Sequence, residues 1–183
     1  MKKVAVLVGS LRKESLSRKL AKNVATLFPD GYVTEFINID MPVFNQDYDD
    51  EGPLPPEYTA FRRTMKDVDA VLFVTPEYNR SVPAPLKNAL DVGSRPYGAS
   101  VWDGKPCAII SNSPGNLSAF GANHHLRQSL VFLNMPVLSQ PEAYIGGVAG
   151  LLDEHGQIHD ESTLTFLRSF VNAFVGWINK HST

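Results

Sequence analysis

Three polar clusters interrupt an otherwise apolar chain, and their residue types suit anion binding better than nucleophilic or acid–base chemistry. The first places Ser10, Arg12, Lys13, Ser15 and Ser17 within eight residues, directly after an apolar run at 4–8 and Gly9. Leu16, Leu20, Val24 and Leu27 then recur at helical spacing, so this loop empties into a helix N-terminus. Free backbone N–H groups, the positive end of a helix dipole, hydroxyls and a guanidinium converge there, which is what a phosphate monoester needs. The plainer alternative is an ordinary strand-to-helix turn in which Ser15 is only the N-cap. The second cluster is Thr75-Pro76-Glu77-Tyr78-Asn79-Arg80-Ser81, and the third is Ser111-Asn112-Ser113-Pro114-Gly115-Asn116.

Two better-known phosphate loops are excluded by the same residues. A Walker-type loop needs a second glycine followed by Lys and Ser or Thr, and the dinucleotide fingerprint needs G-x-G-x-x-G. Only Gly9 is available before the helix. A glycine-poor, hydroxyl-rich loop suits a terminal phosphate held by side chains as well as backbone. Other chemistry finds little support. Cys107, the single cysteine, lies in an apolar run and reads as a buried structural thiol. His124 and His125 are adjacent and point to different sides of a helix, while His155 and His159 sit in a polar turn. No cluster has metal-ligand spacing. Asp49, Asp50 and Glu51 read as an exposed acidic stretch of loop.

The elements that must position the three clusters follow from periodicity. Nearly continuous apolar runs at 4–8, 69–74 and 105–110 read as strands buried on both faces, which implies a parallel sheet covered by helices. A partly alternating strand is expected at 32–37 and a short fifth strand near 136–138. Helices are expected at 57–67, 85–92, 119–133 and 161–177, with a long surface loop over 38–56. Strand and helix thus alternate through one α/β domain spanning residues 1–183. The polar clusters follow the first, third and fourth strands, so they emerge on one edge of the sheet and can converge on one ligand.

At 183 residues and 43% hydrophobic content, the chain can bury one sizeable core. A net charge of −2 with scattered Lys and Arg gives no electrostatic case for nucleic acid or an anionic membrane. No apolar run reaches the ~20 residues of a membrane span, and the N-terminus lacks a signal-peptide layout, so a cytoplasmic protein is expected. Apolar residues at 85–96 and 120–133, among them Leu86, Leu90, Phe120, Leu126, Leu130 and Phe132, exceed what one buried helix face needs. A homodimer or homotetramer with these helices at the contact is therefore expected.

Gly9-Ser10-Leu11-Arg12-Lys13-Glu14-Ser15, Thr75-Pro76-Glu77-Tyr78-Asn79 and Leu86-Lys87-Asn88-Ala89-Leu90-Asp91 closely resemble the NADPH-dependent FMN reductase family, a flavodoxin-like group that includes bacterial quinone and chromate reductases. The likeness extends over Ser111 to Gly115 and His125-Leu126-Arg127-Gln128, and so over most of the chain. It implies a three-layer sandwich with a five-stranded parallel sheet in the order 2-1-3-4-5, bound FMN, and NAD(P)H as hydride donor. Carried over by motif, the cofactor-binding set is Ser10, Leu11, Arg12, Lys13, Glu14, Ser15, Leu16 and Ser17 from the first loop. Pro76, Glu77, Tyr78, Asn79 and Arg80 follow from the second, and Ser113 with Gly115 from the third. Ser10, Arg12, Ser15 and Ser17 would hold the phosphate, and the second loop would line the isoalloxazine.

Two positions depart from the family pattern. Ser17 stands where Asn is frequent, and Val92 where Trp is frequent. Glu14 would repel a phosphate and is expected to face solvent. The implied activity is NAD(P)H-dependent reduction of a small-molecule acceptor such as a quinone, azo dye, chromate or free flavin, by ping-pong two-electron transfer. Such chemistry belongs to the cofactor and requires no catalytic side chain. The alternatives are a flavodoxin-type electron carrier without its own substrate site, for which the near-neutral charge is unfavourable, and a nucleotide-binding regulatory module without turnover.

Overall fold

Five strands form the centre of the molecule: β1 (Lys2–Val8), β2 (Tyr32–Phe36), β3 (Ala70–Thr75), β4 (Cys107–Asn112) and β5 (Ala143–Ile145). The structure, a computed structural model, describes residues 1–181. The strands pair in parallel in the order 2-1-3-4-5, as a flavodoxin-like sheet requires. Every residue of β3 and β4 is buried, and so are Val4 to Val8 of β1, because helices cover both faces.

One face packs against α1 (Leu16–Ala25) and α6 (Glu161–His181), with Val4, Val6, Val8, Leu72 and Val74 meeting Leu20, Val24, Phe170 and Phe174. The other packs against α3 (Pro56–Lys66), α4 (Ala84–Gly93) and α5 (Phe120–Phe132), with Leu7, Phe73 and Ile109 meeting Tyr58, Phe61, Leu86, Leu90, Leu126 and Leu130. Alternation along each strand sorts these side chains between the two layers. Prolines start α3 and α4, where a missing N–H costs nothing. Val92 is fully buried among this second set, so its side chain belongs to the core.

Several expectations need correction. The fifth strand lies at Ala143–Ile145, and residues 136–138 contribute only a bridge between Val137 and Cys107. Pro136 accepts the Cys107 N–H and Leu138 donates back to the Cys107 carbonyl, after which the chain leaves β4 through Pro141 and rejoins it at Ala143. The 38–56 segment holds a single helical turn, α2 (Asp47–Asp50). Its Asp49 is not an exposed loop residue. Its carboxylate takes two hydrogen bonds from the Arg62 guanidinium, at 2.6 and 2.8 Å, and both side chains are almost fully buried. Leu86, Leu90, Leu126 and Leu130 point into the core, so they add nothing to an exterior face. Phe120, at the start of α5, and Val131 and Phe132, at its end, do stay exposed.

Gly9 closes β1 against β3. Its N–H donates to the Val74 carbonyl at 2.9 Å, and a Cβ built there would stand 2.6 Å from Thr75 Oγ1. Only glycine permits this approach.

Candidate functional site

The reversal of strand order falls between β1 and β3, and the carboxyl ends of parallel strands open a crevice at such a point. A cavity of about 230 Å³ lies there, lined by Ser10, Arg12, Ser15, Leu16, Ser17, Pro76, Glu77, Tyr78, Asn112, Ser113 and Pro114. All three polar loops thus meet at one place.

The first loop is built to receive an anion. Ser15 caps α1 by accepting the Arg18 N–H at 3.1 Å. That bond uses an oxygen lone pair and leaves the Ser15 O–H free to donate. Among the described residues, the N–H groups of residues 10–17 meet no protein acceptor, and the exposed Arg12 has no carboxylate partner. No acidic residue occupies the first turn of α1. Glu14 faces solvent as expected, where its bond to the Lys19 ammonium at 2.7 Å draws its carboxyl below the usual range. Leu11, Lys13 and Glu14 are exposed and do not line the cavity.

The second loop is a tight two-residue turn. Tyr78 and Ser81 exchange N–H···O bonds of 3.1 Å, while Asn79 and Arg80 between them adopt φ of 50° and 67°. Paired positive φ values define a turn that matches the right-handed strand twist, and Asn tolerates that conformation better than most residues. Asn79 and Arg80 sit at the tip, outside the cavity wall, and Arg80 lies 3.7 Å from Glu77. Pro76, Glu77 and Tyr78 remain on the wall. The Glu77 carboxylate is engaged by protein, accepting the Ala122 N–H at 2.9 Å in the first turn of α5.

The third loop is braced from within. Ser113 donates its hydroxyl to the Gly115 carbonyl at 2.9 Å and its N–H to Ile145 of β5 at 3.1 Å. Ser113 lines the cavity and Gly115 does not. Asn112, which sequence reasoning left out of the site, stands on the floor. It is the last residue of β4 and only 1% exposed. A buried amide at the end of an apolar strand, one residue before a polar loop, was the available signal. Ser17 lies against it and is also buried. Beside this loop, His124 Nε2 is 2.9 Å from the Tyr144 hydroxyl, which burial and the nearby Glu142 push up to about 12.

Residues 2–150 match the family described as NADPH-dependent FMN reductase. The chain belongs to that family. It is 54% identical over 176 residues to a quinone reductase of Pseudomonas putida, with 96% of this chain and 94% of that one covered. It is 42% identical to a 2-hydroxy-1,4-benzoquinone reductase of a Burkholderia species, over 96% of each chain. The structure superposes on FerB of Paracoccus denitrificans, a flavoenzyme NAD(P)H:(acceptor) oxidoreductase, with a TM-score of 0.92 at 42% identity and complete coverage of both chains. The protein is thus an enzyme that uses FMN, with NAD(P)H as its hydride source. The donor set on the page fits that cofactor: acceptor-free amides, a hydroxyl with a hydrogen to spare and an unpaired guanidinium suit an acceptor-only phosphate.

Proposed function

We propose that the protein reduces quinones at the expense of NAD(P)H, with FMN seated in the crevice between β1 and β3. Ser10, Arg12, Ser15 and the amides of residues 10–17 hold the phosphate. Pro76, Tyr78 and the 113–115 loop border the ring system. The observation that carries this reading is the convergence of all three loops on one cavity, with a donor-rich, acid-free helix start at its end. At about 230 Å³ this cavity is smaller than the ~300–1,000 Å³ of a typical ligand cleft, so it would enclose only part of an FMN.

FMN, when bound, supplies the two-electron chemistry. The protein contributes position and polarity. NAD(P)H gives up a hydride and leaves as NAD(P)+. The quinone then takes two electrons and two protons, one proton being drawn from solvent. The 10–17 stretch is the single phosphate loop in the sequence, which supports donor and acceptor using one exposed ring face in turn. Azo dyes, chromate and free flavin are further acceptors for so open a site. The whole chain acts as one FMN-binding domain in the cytoplasm, where NAD(P)H is found. It acts as a homodimer or homotetramer, supported by the exposed Tyr97, Phe120, Val131 and Phe132.

Steady-state rates measured while NAD(P)H and a benzoquinone are both varied test the mechanism. Parallel double-reciprocal lines are expected. Intersecting lines would overturn the shared face. Bound FMN that keeps its visible absorbance after anaerobic addition of NADH and, separately, of NADPH would overturn the quinone-reductase proposal itself.

A further inference from the structure

Ser17 and Asn112 join two ends of the candidate site that are 95 residues apart in sequence. The Ser17 Oγ lies 3.1 Å from Asn112 Oδ1, and the Asn112 Nδ2 lies 3.3 Å from the Thr75 carbonyl. Ser17 is 2% exposed and Asn112 1%. The carbonyl of Thr75 can only accept, so it fixes which end of the Asn112 amide faces it. The amide nitrogen turns to Thr75 and the oxygen to Ser17. Ser17 must then be the donor in its own bond, and its single hydrogen is committed.

A phosphate dianion accepts hydrogen bonds and has none to give. Ser15 can still serve it, because its cap bond takes only a lone pair. Ser17 presents lone pairs to any ligand, which a phosphate repels. We propose that the Ser17 hydroxyl is not a phosphate ligand, and that the Ser17 and Asn112 side chains act as one positioning unit. Together they lock the first turn of α1 to the ends of β3 and β4, so that the free amides of residues 10–17 face the anion. The inference rests on the phosphate reading of that loop and corrects the expectation that Ser17 donates to the phosphate.

The test uses apo protein titrated with FMN and with riboflavin, the same ring system without a phosphate, followed by flavin fluorescence. Arg12→Ala checks the underlying reading. If it leaves FMN affinity unchanged, the phosphate assignment falls and this proposal with it. Given the Arg12 loss, Ser17→Ala and Asn112→Ala should each weaken FMN about fivefold, the size of one neutral hydrogen bond, with riboflavin unaffected. The double Ala variant should be no worse than Asn112→Ala alone, because that single variant already removes the bond to Ser17 along with the one to Thr75. Losses that multiply to about 25-fold would mean two independent ligand contacts and overturn the proposal.

A reciprocal variant guards against a folding defect. In Ser17→Asn with Asn112→Ser, the proposal requires the new hydroxyl at 112 to donate to Thr75 and accept from the amide at 17. FMN affinity should return to within about twofold of the wild type. Failure to recover, in a variant whose thermal unfolding matches the wild type, would equally overturn the positioning role.

Discussion

Glu77 and Ala122 are joined by a 2.9 Å bond from a backbone amide to a carboxylate, which ties the turn after β3 to the start of α5. The left-handed Ser118 and Ala119 just before α5 bring that amide into reach. Gly121 makes the approach possible, since a Cβ there would stand 2.8 Å from Glu77 Oε2 and 2.9 Å from the Arg80 carbonyl. Glu77 therefore shapes the wall of the site by holding the loop.

Glu77→Ala should loosen the wall and weaken FMN and riboflavin to the same degree. It should also lower stability by about 1.5–3 kcal/mol, the range for a hydrogen bond to a charged group. Glu77→Gln keeps an acceptor oxygen and should behave close to wild type. Gly121→Ala should reproduce the Glu77→Ala pattern by pushing the loop away. Paired flavin titrations and chemical denaturation check all three. An effect on FMN alone would place Glu77 at the phosphate instead.

Arg12→Ala should separate the two flavins in the opposite way. Losing a charged hydrogen bond of ~1.5–3 kcal/mol corresponds to roughly ten- to hundredfold in FMN affinity. Riboflavin should bind the variant as it binds the wild type. Equal affinities of the wild type for FMN and riboflavin would refute the phosphate role of the loop.

The buried Arg62–Asp49 pair predicts an asymmetry in stability. Asp49→Ala leaves a guanidinium in the core without a counter-charge, retaining the Arg62 Nε bond to the Val92 carbonyl at 2.9 Å and the stacking over the Tyr58 ring. Breaking one side of such a pair costs ~3–5 kcal/mol, whereas replacing both partners with apolar side chains costs far less. Denaturant midpoints for Asp49→Ala and for Asp49→Leu with Arg62→Met should therefore rank the double variant as the more stable. The reverse order would show that the lone Arg62 guanidinium costs less than the apolar replacement of the pair.

Cys107 should be chemically silent in the native protein. It is fully buried in β4, and burial pushes its thiol well above its ordinary 9.0. Thiol-specific reagents at mildly alkaline pH should label it only after unfolding. The linkage has a definite sign. Between the two pKa values the native state keeps a proton that the unfolded chain releases, so this contribution to stability is intact below pH 9.0 and declines as pH rises above it. Cys107→Ser should flatten that alkaline decline in an unfolding series. A slope unchanged by the substitution would assign the decline to other groups.

Assembly is open to direct measurement. The wild type should sediment as a dimer or larger species at micromolar concentration. Val131→Asp with Phe132→Asp should shift it toward monomer, because two charges would be buried at the contact. A monomeric wild type would refute the assembly outright.

The centre of the sheet was legible because β3, β4 and residues 4–8 of β1 are fully buried. Residues 4–8 and 70–74 are unbroken apolar runs, too short for helices and rich in β-branched residues. The fifth strand was misplaced because Val137 and Leu138 carry the apolar signal, while Ala143–Ile145 are specified by their register against β4. Of the first-loop residues whose own chemistry suits an anion, Ser10, Arg12, Ser15 and Ser17 line the cavity and Lys13 does not. What escaped was pairing across long separations. Asn112 matters through Ser17 and Thr75, and Asp49 through Arg62, and neither partner can be named from local spacing. The inward turn of the leucines in α4 and α5 was hidden for the same reason: an apolar count does not say which layer a helix faces.

Gly9 and Gly115 set opposite tolerances on the two sides of the crevice. A methyl at position 9 would drive into Thr75 and act as a wedge between β1 and β3, while one at position 115 would meet open space. The crevice thus has a fixed gauge at its root and an adjustable lip. Efforts to redesign its surroundings should spare the strand ends and work at position 115, where an added side chain displaces only solvent.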